Sequence, residues 1–117
     1  MVEFEKKIVA EIRRFYEGGK PIDEASAEEQ RENFVTLLTL SEDTKTECPE
    51  LFYWQGMCEE FGIGAPEEYA ADAVESYKKS AKAGNADAQY RLSQLYAGGT
   101  NGVEKNLMVA LGWARKA

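Results

Sequence analysis

Residues 84–99, Gly-Asn-Ala-Asp-Ala-Gln-Tyr-Arg-Leu-Ser-Gln-Leu-Tyr-Ala-Gly-Gly, have a second, weaker copy just upstream. At an offset of 37 residues Gly99 falls on Gly62, Tyr90 on Tyr53, Leu95 on Cys58, Ala110 on Ala73 and Leu111 on Val74. A fixed period in the thirties is the signature of stacked helix pairs. Within the clearer copy Ala88, Ser93 and Ala97 sit at helical spacing between Leu92, Leu95 and Tyr96. That mixture lets a helix approach a neighbour closely while anchoring on a few large side chains.

Helical periodicity and punctuation extend along the whole chain. Phe4, Ile8, Ile12 and Phe15 recur at steps of four, four and three, with Val9 and Tyr16 widening the stripe, up to Gly18-Gly19. This predicts an amphipathic first helix with a glycine stop. After Lys20-Pro21-Ile22, either Asp23 or Ser26 is placed to cap a second helix, Ser26 with Glu29 in capping-box spacing. Phe34, Val35, Leu37, Leu38 and Leu40 give that helix its apolar face. Ser41 to Glu47 is polar and reads as a loop or a hinge. Pro49 suits the first position of a third helix, which runs through Leu51, Trp54, Cys58 and Phe61 to Gly62. Pro66 is expected to begin the partner helix, which carries Tyr69, Ala70, Ala73, Val74 and Tyr77 and stops at Gly84. Asn85 and Asn106 are in place to cap the last two helices.

Composition narrows the function classes. At 117 residues, 44% hydrophobic and 11% aromatic, the chain has enough apolar surface for one folded domain. A net charge of −7 argues against nucleic acid as a partner, since that affinity is dominated by basic groups. The charged start, Met-Val-Glu-Phe-Glu-Lys-Lys, is neither a secretory signal nor a membrane span. A cytoplasmic location is therefore expected, although a signal cleaved before residue 1 would leave the same sequence. Cys48 and Cys58 are expected to be reduced, because ten residues of helix separate them by about 15 Å, far beyond disulfide reach. Only a Cys48 that folds back from the preceding loop would bring the two together.

The run Ala88 to Gly99, then Gly102-Val103-Glu104-Lys105-Asn106, then Ala110-Leu-Gly-Trp113-Ala-Arg-Lys-Ala117, resembles a Sel-one-like repeat, a relative of the tetratricopeptide repeat with a slightly longer loop. The unit before it is similar but departs from the pattern. It has Gln55-Gly56 where the family has leucine and glycine, Glu59 where it has tyrosine, and Ser76, with Tyr77 one place along, where Trp113 supplies the aromatic. The organisation expected is an N-terminal helical hairpin and polar loop over 1–48, a divergent repeat over 49–84 and a closer one over 85–117. The hairpin is a divergent repeat or a cap: Tyr16-Glu-Gly-Gly echoes Tyr96-Ala-Gly-Gly, but at 80 residues, not at two periods of 37.

The resemblance implies an all-α fold, a right-handed α-solenoid of about six helices in stacked antiparallel pairs. It also implies an inner groove lined by the first helix of each pair, where partners bind. The groove positions of the second unit are then Asp87, Tyr90, Arg91 and Gln94, and the offset of 37 adds Glu50, Tyr53, Trp54 and Met57. Tyr53 and Trp54 have a second reading, packed against the N-terminal hairpin. Exposed aromatics among polar groups suit a peptide, and an acidic protein suits one with basic character.

Chemistry has little to start from. There is no histidine, the usual general base and commonest metal ligand. Two cysteines alone make no zinc site, and Glu59-Glu60 and Glu67-Glu68 read as solvated helix surface. Gly98-Gly99-Thr100-Asn101-Gly102 lacks the Gly-Lys-Ser/Thr ending of a phosphate loop. Lys78, Lys79, Lys82, Arg115 and Lys116 suit the negative ends of their helices; the alternative is a basic outer strip. No catalytic residue, cofactor or metal is expected. The expectation is a non-enzymatic adaptor for a peptide or partner protein. The alternative is a self-assembly module whose last helix, with Leu107, Leu111 and Trp113, offers an open face for weak homo-oligomer formation.

Overall fold

The computed structural model describes residues 3–18, 24–42 and 48–117. Among them it is all helical: α1 (Glu3–Gly18), α2 (Glu24–Glu42), α3 (Pro49–Phe61), a 3₁₀-helix (Glu67–Asp72) that runs into α4 (Ala73–Lys82), α5 (Ala86–Gly98) and α6 (Leu107–Lys116). Helices adjacent in sequence pack on one another, α3 with α4, α4 with α5 and α5 with α6, and both α1 and α2 lie against α3. The result is a slab of 43 × 30 × 22 Å with a radius of gyration of 14.1 Å, slightly above the ~13 Å of a rounder chain of this length.

Local chemistry accounts for most boundaries. Pro49 opens α3, and Gly62, at φ 69°, closes it. Asn85 Oδ1 accepts from the Ala88 N–H at 2.8 Å and Asn106 Oδ1 from the Val109 N–H at 3.1 Å, so α5 and α6 have side-chain caps. The segment after Pro66 lacks one. Its orphaned donors turn instead to tighter i→i−3 bonds, the Tyr69 N–H donating to the Pro66 carbonyl at 3.0 Å. The α-helix expected from Pro66 therefore begins only at Ala73. The 3₁₀ stretch carries Tyr69 edge-on against Phe34 of α2, with centroids 5.2 Å apart. Gly64 makes the same junction possible: a Cβ there would overlap the Gln30 carbonyl.

One core runs through the stack. Ile8, Val9 and Ile12 of α1, Phe34 and Leu37 of α2, Leu51, Met57 and Cys58 of α3, Ala73, Val74 and Tyr77 of α4, and Ala88, Leu92 and Leu95 of α5 are all buried. Val35, expected on the apolar face of α2, is instead exposed. Ser26 lies inside α2, past the cap position; Asp23, residues 43–47 and the side chains of Phe4, Phe15 and Tyr16 fall outside the described residues.

Helices α3 and α4 pack by matching a small residue to a large one. Gly56 lies under the ring of Tyr77, where a Cβ would sit 2.7 Å from two ring carbons. The positions 37 residues on are Ser93 and Ala114, where the large member is gone. Ser76 Oγ donates to Glu59 Oε1 at 2.5 Å, and the corresponding positions are Tyr96 and Trp113, both packed against the core. Two of the positions at which 49–84 differs from 85–117 are thus partners of each other.

Candidate functional site

Helix α3 carries Tyr53, Met57 and Phe61 at steps of four, and α5 carries Asp87, Tyr90, Arg91 and Gln94 at steps of three and four. Such spacing puts each set on one helix face. The two faces meet across a recess of about 220 Å³ lined by these seven residues. Six of the eight groove positions expected from the sequence are thereby brought together.

Met57 forms the buried floor, its sulfur 3.3 Å from Tyr77 Oη. Tyr53 is half-buried, while Tyr90 at 56% and Phe61 at 49% stand open to solvent. Phe61, expected only as part of the third helix, also belongs to the recess. Its place four residues after Met57 was the available signal. On its other side Phe61 borders a second hollow, of about 500 Å³, with Ala27, Gln30 and Arg31 of α2 and with Gly62, Gly64, Ala65 and Pro66.

Arg91 is fixed by a part-buried network. Its Nε donates to Glu60 Oε1 at 2.8 Å, its Nη2 pairs with Glu60 Oε2, and its Nη1 donates to Gln94 Oε1 at 3.0 Å. The guanidinium lies 5.4 Å from the centroid of the Phe61 ring. Tyr77 Oη donates to Glu60 Oε1 at 2.7 Å. The hydrogen bond with Glu60 holds the Arg91 guanidinium above its ordinary range. Burial, and then the Glu60 contact, drives the Tyr77 hydroxyl far above its own.

Glu50 and Trp54 are placed elsewhere. Arg13 of α1 pairs with Glu50 at 2.6 Å and lies 5.5 Å over the Trp54 ring. Trp54 is buried at 5% exposure, with Tyr53 edge-on at 5.4 Å. Of its two expected roles, packing towards the N-terminal hairpin is what the structure has. Glu50 instead borders a hollow of about 430 Å³ with Cys48, Pro49 and residues 83–86.

The Glu59-Glu60 pair also corrects an expectation, since neither lies on solvated surface. Glu60 serves Arg91, and Glu59, at 3% exposure, faces α4. Burial pushes the Glu59 carboxyl up to about 7, reinforced by Asp72 and opposed by the Ser76 and Gln55 hydrogen bonds and by Lys79. Cys48 and Cys58 are both buried with no disulfide between them, and burial raises the Cys58 thiol well above its ordinary range. Among the described residues no group of three histidine, cysteine or carboxylate side chains is placed to hold a metal, and no helix is long and apolar enough to cross a membrane. On α6, Leu107 at 64%, Met108 at 79% and Leu111 at 45% are exposed, whereas Trp113 is half-buried against the core with Lys116 Nζ 5.0 Å from its ring centroid.

Comparison of the chain with protein-family models, with curated proteins and with solved structures returns no match.

Proposed function

We propose that this chain is a non-enzymatic adaptor built as a right-handed helical-repeat solenoid of the Sel-one-like kind, holding a peptide or a segment of a partner protein between α3 and α5. The observation that carries this reading is the convergence of two equivalent helix faces, 37 residues apart in sequence, on one recess rimmed by the exposed rings of Tyr90 and Phe61. Exposed aromatics above a fixed polar network are the elements from which binding hot spots are made. The network is preorganised, because Arg91 is held by Glu60 and Gln94 before any partner arrives.

Peptides selected from a random display library on the immobilised protein test this. Tyr90→Ala should weaken their binding by about tenfold or more while leaving the melting temperature near wild type, because the side chain is over half exposed. Peptides that bind the variant and the wild type equally well place the site elsewhere.

A second reading, self-association through α6, is favoured by the adjacent exposed side chains Leu107, Met108 and Leu111. Covering one large apolar side chain contributes roughly 1.5–3 kcal/mol. Hydrogen exchange should then show residues 103–117 opening before residues 50–97 in dilute solution, with protection rising as protein concentration rises. Protection equal to that of α5 and independent of dilution excludes this mode.

A further inference from the structure

The geometry points to a subsite for one arginine or lysine side chain of the bound peptide, lying along the rings of the recess with its cation at Asp87. The inference rests on the groove reading and names the chemistry that the groove selects.

Size comes first. Pockets that enclose a small molecule hold roughly 300–1,000 Å³, and this recess, at about 220 Å³, is smaller. It suits a single long side chain delivered by a backbone that stays outside.

Charge then decides which side chain. Two ionised groups line the recess, Arg91 and Asp87. Arg91 has its charge answered by Glu60 through two of its nitrogens, and a third nitrogen is used on Gln94. The Asp87 carboxylate has no hydrogen bond or ion pair of its side chain among the described residues. Counted with Glu60, the side chains of the site carry a net charge of −1, and the carboxylate left without a charged partner stands at the rim, in the first turn of α5. The walls agree with that sign: Tyr53, Tyr90 and Phe61 offer aromatic rings, which attract cations over their faces. Arg91 already uses the Phe61 ring in this way. Met57 at the floor leaves an apolar surface for the aliphatic stem, the half of an arginine or lysine that prefers to leave water. An acidic side chain in the same place would face Asp87 directly, and a neutral one would leave its charge unanswered.

The peptides selected on the wild-type protein provide the test. Those whose binding depends on Tyr90 should share an arginine or lysine. Replacing it with citrulline or acetyl-lysine, which keep the length and remove the charge, should weaken binding about three- to tenfold, between an exposed ion pair and a charged hydrogen bond. The same loss should follow Asp87→Asn, and the two changes together should cost little more than either one. Rising salt should erode the difference between the wild type and Asp87→Asn. Because Asp87 is exposed, the variant retains the fold, which circular dichroism verifies. Peptides that need Tyr90 but tolerate both neutral replacements overturn the subsite and leave the groove standing. Peptides indifferent to Tyr90→Ala overturn both.

Discussion

Replacing Tyr77 by alanine should cost the fold about 3–5 kcal/mol, the range for removing a large buried ring. A domain of this kind has only about 5–15 kcal/mol to lose. The side chain is fully buried and its hydroxyl donates to Glu60, so its removal leaves a void and an unanswered carboxylate oxygen. The more discriminating change is Gly56→Ala. In the middle of a helix, alanine is ordinarily favoured over glycine by about 0.5–1 kcal/mol. Here the added methyl carbon would lie 2.7 Å from the Cδ1 and Cε1 atoms of Tyr77 and 3.1 Å from Cζ. The ring cannot retreat without breaking its hydrogen bond to Glu60, and the expected outcome is a loss of about 1–3 kcal/mol. The sign of the effect is therefore the readout. Urea titration of both single variants and of the double variant should show the double costing less than the sum, because the methyl group added at position 56 enters space that the Tyr77 ring has vacated. A stabilised Gly56→Ala, or strict additivity, would mean that the ring does not rest on Gly56.

This contact is also where reading the sequence reached its limit. Signals that act over three or four residues were legible: Pro49 at the start of α3, Gly62 and Gly99 after α3 and α5, and the caps Asn85 and Asn106. The 37-residue offset carried further, assembling Tyr53 and Met57 of α3 with Asp87, Tyr90, Arg91 and Gln94 of α5 on one recess. It failed where a partner from another element intervened. Glu50 and Trp54 belong to the same set as Tyr53 and Met57, but Arg13, on a different helix, draws both towards α1. Glu59 and Glu60 looked like a solvated surface because their partners Ser76, Tyr77 and Arg91 lie 17 to 31 residues away. The offset of 37 picks out what residues 49–84 and 85–117 have in common, and these residues are where the two stretches differ.

Glu59 gives the second large effect, and its direction is opposite to that of a carboxylate whose ionised form is held by an ion pair. Its carboxyl is raised from an ordinary 4.5 to about 7 in the fold, chiefly by burial and then by Asp72. Between those values the native protein keeps a proton that the unfolded chain releases, so stability falls as pH rises through that window. It is highest from this residue below about 4.5 and reaches its minimum above about 7. At 1.36 kcal/mol for each tenfold change in proton affinity, the span amounts to at most about 3 kcal/mol. Glu59→Gln keeps an oxygen that accepts from Ser76 Oγ and removes the ionisation. The variant should therefore be the more stable protein at pH 8, by about 1–3 kcal/mol, and should lose that advantage by pH 5. Taking the difference between variant and wild type at each pH cancels the titration of the exposed carboxylates, which both proteins share. Thermal melts at half-unit intervals from pH 5 to pH 8 would show the two curves converging on the acid side. Curves that stay parallel over the whole interval would mean that Glu59 is ionised throughout and that Lys79 and the hydrogen bonds from Ser76 and Gln55 outweigh its burial.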